Sequence, residues 1–399
     1  MIVVPPGWAQ AIAPGSMTVN RYVDFRLQAA LTDPPDYFGV PVSGGSVTID
    51  TELTDTGGGF HRVSGRLTVV DDDVRFASPD TRLTPLADNT GWTAPYGTIA
   101  RVMYGVEVPG YTGFFGDNTF FTPYGTVRIG ENQDEQDGSL DLNLYDLAKY
   151  VSRNQFDVPY VIGPGQNYVT AVVTMVQSRL PANLLTPVQA TSTDQVTPMI
   201  VIDPTQDPWV EAEAMMASIG FVIYFDLLGQ LTIMPRPDPS DDDPVRTFVH
   251  GQDAIVALAR NLSDDPGYNG VSMRSDSSVL TAPLQSTAWD TNPNSPTYYL
   301  GPYGKNPYQT SSPYIATQAQ CDAAAVAALP AVLGLTEKIA LACLPDPALQ
   351  VNDVVYVYRQ RGPAGVVVVD GNYVIDQITM PLSLTEPMTM QLHRQRTSS

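Results

Sequence analysis

The sequence predicts a mainly β fold with an α+β insert: two barrel-like β domains and a smaller α/β module. Three observations carry this reading. Several short runs alternate apolar and polar residues at a period of two, the mark of a strand with one face buried. The composition is rich in chain-turning residues, with 35 Pro and 31 Gly in 399 residues. Helical spacing is confined to the middle of the chain and to one Ala-rich stretch.

In the N-terminal part, Val47, Ile49, Thr51 and Leu53 alternate with Ser46, Thr48, Asp50 and Glu52. After a break at Gly57-Gly58-Gly59, the run Arg62 to Val70 repeats the pattern with Val63, Leu67 and Val69 inward. Ala100, Val102, Tyr104, Val106 and Val108 share a face, as do Leu140, Leu142 and Leu144 beyond a turn at Asp137-Gly138. Pro95-Tyr96-Gly97-Thr98 and Pro123-Tyr124-Gly125-Thr126 form a local repeat. Each is expected to turn the chain into a Val/Ile-rich strand, because proline fixes φ and glycine accepts positive φ.

In the middle, Val169, Val172, Val173, Val176 and Leu180 are spaced for one helical face, and Pro181 stops the run. A second helix begins with Asp207 as cap and Pro208 in the first turn, buries Ala212, Met215, Met216 and Ile219, and stops at Gly220. A strand at Phe221–Phe225, a turn at Asp226–Gly229 and a return at Leu231–Met234 complete the α/β module. Pro235 to Pro244, rich in Pro and Asp, is the best linker candidate. The expected domains are therefore 1–155, 156–240 and 241–399.

In the last domain, residues 280–316 are dense in Pro, Asn, Ser, Tyr and Gly and read as a long loop. Its aromatics, Trp289, Tyr298, Tyr299, Tyr303, Tyr308 and Tyr314, are expected to dock on a neighbouring subunit, because long loops are usually functional or disordered and these rings argue for contact. An Ala-rich helix from Thr317 to Leu329 is expected to end at Pro330. Strands follow at Asp353–Tyr358, Val366–Val369, Tyr373–Ile378 and Met388–Leu392, with Asp370-Gly371 as the strongest hairpin signal. Gly220, Gly229 and Gly371 are the expected turn positions with special backbone angles.

Composition bounds the function. Net charge is −21, and of 21 basic residues only Lys149, Lys305 and Lys338 are lysine. The overall field of such a chain disfavours nucleic acid and anionic membrane, although local basic patches stay open. Charged residues make up 16%, against roughly 25% in ordinary soluble domains. Together with 20 Tyr, this points to surface covered in an assembly. Cys321 and Cys343 fit neither a disulfide framework nor a zinc spacing, and read as buried small hydrophobes. The start, MIVVPP, lacks a basic n-region, and no apolar run is long enough to span a bilayer, so synthesis in a cytoplasm is expected. His61, His250 and His393 lie far apart, and no nucleophile elbow, phosphate loop or dinucleotide fingerprint occurs. Asp71–Asp73 and Asp241–Asp243 read as solvated carboxylates at turns, and the segment Glu131–Asp141 resembles a calcium loop only superficially, because Gly138 does not fall where that pattern needs it. No catalytic residue, metal site or cofactor is expected; a glycosidase pair of carboxylates, whose spacing exists only in space, stays open.

From Trp209 onward the chain reads WVEAEAMMASIGFVIYFDLLGQLTIMPRP, then YNGVSMRSD, LGPYGKNPY, the Ala-rich helix and LPDPALQVNDVVYVYR. This order resembles the minor tail or tail-tip hub proteins of long-tailed (siphovirus-type) bacteriophages, especially those infecting actinobacteria, which are related to baseplate hub proteins. The N-terminal GGSVTID, RLTV and PYGT match in layout. The resemblance implies a homotrimer in which two barrels per subunit alternate into a pseudo-sixfold ring at the tail tip of the virion. Its implied partners are the distal tail protein, the tape measure protein and other minor tail or fibre proteins. Genomic DNA would pass through an acidic channel without specific binding. Two alternatives stand beside this one: a receptor- or carbohydrate-binding tail module using the aromatic stretch, and a tail-associated cell-wall hydrolase.

Overall fold

A computed structural model describes residues 2–13, 17–27, 37–51, 62–70, 93, 98–113, 118–134, 138–181, 184, 186–237, 242–250, 255–261, 267–277, 282–333, 337–361, 365–383 and 385–394. The Gly57–Gly59 break, His61, Asp71–Asp73, the Pro95-Tyr96-Gly97 turn, Asp137 and Asp241 lie outside them.

The fold is mainly β. Strands β1 (Val19–Leu27), β2 (Tyr37–Asp50), β3 (Arg62–Val70), β4 (Thr98–Glu107), β5 (Thr119–Asp134) and β6 (Ser139–Asp146) pair in the order β1-β4-β5-β6-β3-β2. A further pairing of β1 with β2, Val23 opposite Val40, closes the six into a barrel. Its strands alternate as the sequence requires: Val47, Ile49, Val63, Leu67, Leu140 and Leu142 are buried inside. The second Pro-Tyr-Gly unit does not launch a strand. It sits within β5 as a bulge, with Met103 opposite Pro123 and Val102 opposite Gly125. A bulge tolerates the missing proline N–H and turns Tyr124 into the interior, where it is fully buried.

The second barrel-like layer uses β12 (Arg246–Val249), β13 (Ile255–Asn261), β17 (Lys338–Cys343), β18 (Val354–Arg361), β19 (Val366–Pro381) and β20 (Met388–Arg394). They pair in the order β12-β18-β19-β20-β17-β13. The expected hairpin at Asp370-Gly371 is corrected here: β19 runs straight through it, with Gly371 opposite Val357 of β18. β18 ends at Arg361, opposite Val366, and Gly365 takes φ 64. Gly371 has another use: the Arg394 guanidinium lies 3.4 Å from where a Cβ would stand.

The two barrels are one continuous sheet because the end of β19 leaves β18 and pairs with β2, from Gln377 opposite Asp50 to Pro381 opposite Ser46. Thr48 and Thr379 hydroxyls share a 2.9 Å hydrogen bond, and the Gln377 amide donates to Asp50 at 2.7 Å. Just beyond β19, the Leu382 N–H donates to the Gly45 carbonyl at 2.7 Å, and Arg21 of β1 donates to the Leu382 carbonyl. The short helix α1 (Trp8–Ala11) lies across the joint. Its Trp8 ring meets Phe120 edge-on, and its indole N–H donates at 3.3 Å to the buried Asp346 of the second barrel.

The α/β module comprises α2 (Ala148–Arg153), β7 (Tyr160–Ile162), α3 (Tyr168–Arg179), β8 (Val188–Ala190), β9 (Ile200–Ile202), α4 (Pro208–Ala217), β10 (Phe221–Phe225) and β11 (Leu231–Pro235). Asp207 caps α4, accepting from the Trp209 and Val210 N–H groups, and Pro208 follows it. Gly220 takes φ 78 after α4 and Gly229 takes φ 81 in the β10–β11 turn. That turn docks on the first barrel: Thr126 donates to the Leu227 carbonyl at 2.8 Å and Arg101 to the Leu228 carbonyl at 3.1 Å.

The third layer is β14 (Gly270–Ser275) between β15 (Gln285–Trp289) and β16 (Pro307–Ser312), covered by α5 (Gln318–Val332). Residues 280–316 are therefore not simply a loop; two strands within them pair with β14. Thr317 and Gln320 form a capping box at the start of α5, but Pro330 lies inside the helix instead of ending it. The bond it forfeits is to the carbonyl of Val326, a residue on the solvent side, where water can take the bond's place.

Two outcomes follow. Gly45 has φ 106, and a Cβ there would stand 2.1 Å from the Arg66 carbonyl oxygen. Gly45→Ala is expected to lose about 3 kcal/mol or more, read by chemical denaturation. Burial pushes the Asp346 carboxyl above the usual range, against the opposing pull of the Arg246 guanidinium and hydrogen bonds from Ala348 and Trp8. A raised folded-state pKa gives stability that is full below the unfolded value and is lost as pH rises through the folded one. Asp346→Asn, which keeps an acceptor for Trp8, should raise the melting temperature at pH 7. The advantage should shrink as pH falls toward about 4; a difference independent of pH would contradict this.

Candidate interaction surface

The aromatic residues singled out in the sequence gather on the β14–β16 layer and the segment joining β15 to β16. What shapes that segment is polar and buried. Asn269, just before β14, is fully buried. Its amide donates to the carbonyls of Thr297 (3.0 Å) and Gly304 (2.5 Å), and its side-chain oxygen accepts from the Asn306 N–H at 2.7 Å. Asp290, also buried, accepts from the Thr297 hydroxyl at 2.7 Å and the Asn292 N–H at 3.2 Å. These two side chains pin both ends and the middle of residues 290–306. Such a loop is held by its own hydrogen bonds and needs no partner to take shape.

On this frame the aromatics separate. Trp289 lies across Gly270 of β14: a Cβ at Gly270 would stand 2.5 Å from the indole. Tyr299 stacks on Trp289 with centroids 5.9 Å apart, and Tyr298 meets Tyr299 edge-on at 5.4 Å. The Lys305 ammonium sits 5.4 Å from the Trp289 ring centroid and 5.6 Å from that of Tyr299. Tyr303 donates to the Gly267 carbonyl at 2.6 Å, and Tyr308 packs edge-on against Tyr268. Tyr314 is buried and faces inward, contrary to a role on a surface: its hydroxyl donates to Glu211 of α4, and its carbonyl accepts from Tyr168 of α3 at 2.5 Å. It ties the third layer to the α/β module. Burial and the neighbouring Asp207 push the Glu211 carboxyl upward, against a hydrogen bond from Gln206. Burial pushes Tyr168 up to about 12.

What remains outward is a small face of Tyr298, Tyr299, Leu300 and Lys305. Leu300 is 63% exposed at its tip, and Lys305 has no carboxylate within 4 Å among the described residues. An apolar tip beside an uncompensated cation, on a loop with fixed geometry, can seat against a protein surface that offers a pocket and a carboxylate. Sequence reasoning found the rings but missed Asn269, Asp290 and Lys305. The Asp290-x-Asn292-x-Asn294 spacing was the available signal, since such residues fold turns onto their own backbone.

No cluster of three His, Cys, Asp or Glu side chains suited to a metal gathers among the described residues. His393 pairs with Asp376 at 2.7 Å. The buried Glu337 receives Arg260 at 2.5 Å and Arg394 at 2.9 Å. Burial works against its charge, but the nearby Tyr373 hydroxyl and the hydrogen-bonded Arg394 and Arg260 guanidiniums hold its carboxyl below the usual range. Cys321 and Cys343 are both buried.

No protein-family model and no curated protein matches the chain. Solved structures do. A tail protein from Neisseria meningitidis MC58 superposes with a TM-score of 0.56 at 13% identity, covering 94% of this chain and 96% of that one. The 43 kDa tail protein of prophage MuSo2 from Shewanella oneidensis gives 0.55 at 11% identity, with 94% and 98% covered. The prophage tail protein gp18 from Listeria monocytogenes EGD-e gives 0.51 at 10% identity, with 95% of each chain covered. At these identities the likeness establishes a shared fold, end to end on both sides.

Asn269→Ala removes three hydrogen bonds and leaves the buried Thr297 carbonyl unsatisfied. It is expected to cost about 2–4 kcal/mol and to expose 290–306 to protease. Unchanged cleavage in that segment would contradict its role as the clamp.

Proposed function

We propose that the chain is a structural, non-enzymatic hub subunit at the tail tip of a long-tailed bacteriophage. In this reading it joins the tail tube or distal tail ring to the central spike or fibres, and DNA passes through its ring without specific binding. The observation that carries the proposal is the fold shared end to end with three tail proteins, two of them from prophages. The architecture supports it physically. Two six-stranded units lie edge to edge in one sheet, so three copies would set six comparable units around an axis, the arrangement that adapts a sixfold tube to a threefold spike. The division at 1–155, 156–240 and 241–399 belongs to the same proposal, as do the distal tail, tape measure, minor tail and fibre proteins as partners. Among the described residues no helix is long and apolar enough to cross a membrane.

The carbohydrate-binding alternative gains nothing from the geometry. Trp289, the ring best suited to a sugar, is laid over Gly270, stacked by Tyr299 and overlaid by Lys305. The exposed face of Leu300 and Lys305 fits a protein neighbour better.

Two measurements test this reading. Antibody label on virions should mark the tail end away from the capsid, and native mass spectrometry of the purified chain should show three copies; a stable single chain would overturn the ring. Leu300→Asp with Lys305→Glu should leave the melting temperature unchanged while reducing incorporation into tails about tenfold. Equal incorporation would remove this face from the assembly.

A further inference from the structure

The net charge of −21 conceals a local reversal of sign where the first barrel meets the α/β module. Lys149 and Arg153 are one turn apart on α2, and so lie on one face of it. Arg153 is close enough to Arg128 of β5 to depress its pKa, with burial the larger cause. Arg179, at the end of α3, is tied to the same corner: it donates to the Gln155 carbonyl at 3.3 Å, and Asn154 donates to its own carbonyl at 2.7 Å.

Aromatic rings fix Arg128, Lys149 and Arg179 in place. The Arg128 guanidinium lies 4.7 Å from the Tyr150 centroid, Lys149 is 6.0 Å from Tyr145, and Arg179 is 4.6 Å from Phe156, which itself stacks on Tyr160 at 4.6 Å. Cation–π contact holds a charge in position while leaving its outer side open. Among the described residues none of Lys149, Arg153 and Arg179 has a carboxylate within 4 Å. The nearby acids have other work: Asp146 accepts from the Ala148 and Val63 N–H groups, and Asp207 caps α4 and takes the Ser152 hydroxyl. Asp157 is exposed beside Phe156 and forms no ion pair with these three. In a chain with twice as many acidic as basic residues, three neighbouring cations without carboxylates are a departure that needs an account.

We infer that Lys149, Arg153 and Arg179 form a preorganised cationic face that docks a carboxylate-rich segment of a partner protein. A protein segment is favoured over nucleic acid for two reasons. The rings that could stack bases are already covered by the cations. A long polyanion would also meet the acidic remainder of the chain, whereas a short acidic segment stays within about a Debye length of the patch, ~8 Å at physiological salt. The inference does not depend on the tail assignment.

The test uses the full chain and a labelled oligoglutamate, with an oligothymidylate of equal charge in parallel, followed by fluorescence anisotropy at low salt. Oligoglutamate should bind more tightly than oligothymidylate and weaken as salt rises. Lys149→Glu with Arg153→Glu, both exposed, should weaken it at least about tenfold with no change in melting temperature. Lys149→Gln with Arg153→Gln should fall between. Absence of oligoglutamate binding, binding indifferent to the charge reversal, or tighter binding of oligothymidylate would each overturn the inference.

Discussion

The structure depends on one strand serving two barrels. β19 gives its first half to β18 and its second half to β2, while β20 runs along the other edge. Because side chains alternate faces, a shift of one residue in β2 against β19 would turn Ile49 out of the core while Ile378 stayed inside. The register is fixed from both sides of that risk: Thr48–Thr379 and Gln377–Asp50 lock it through side chains, and the Leu382 backbone is held by Gly45 and Arg21 beyond the strand end. A single hydrophobic core therefore runs through both barrels, from Trp8 to Leu392, although the residues that meet there are more than 300 positions apart.

Buried polar groups set geometry elsewhere. Asn269 and Asp290 shape a loop, Glu337 gathers Arg260 and Arg394, and Asp346 holds the N-terminal helix against the second barrel. Each group is costly to bury, and each is matched by specific partners, so any rearrangement would leave an unpaired charge or amide in a low dielectric. Hydrophobic burial makes these layers cohere; the polar contacts decide which arrangement they adopt. The groups displaced furthest from ordinary titration, Tyr124, Tyr373 and Cys343, lie inside the barrels and are held there by burial. Displacement of that kind reflects packing.

Much of this was legible in the sequence where local chemistry decides. Period-two alternation located β2, β3, β4 and β6, and the Asp207-Pro208 start and the Gly220 stop bounded α4. Errors arose where a distant pairing overrode a local signal. Asp370-Gly371 has the residues of a tight turn, but β18 supplies partners on both sides of it and the chain stays extended. The second Pro-Tyr-Gly unit has turn residues as well, yet β4 accommodates it as a bulge. The stretch after residue 280 reads as loop because β14, β15 and β16 bring together short polar strands separated by long connections, with a parallel pairing between β14 and β16 that no hairpin signal announces.

Charge shows the same division between sum and arrangement. A total counts carboxylates and ammonium groups without regard to place, whereas screening confines each to its surroundings within roughly a nanometre in physiological salt. Acidic residues spread over the whole chain thus govern solubility and long-range repulsion, while Lys149, Arg153 and Arg179 govern what can touch one corner. The two effects cooperate: repulsion from the acidic remainder discourages extended polyanions from settling on that corner, and the fixed cations reward a compact acidic one. Selectivity of this kind comes from the contrast between the patch and its surroundings, so a more basic chain carrying the same three residues would discriminate less.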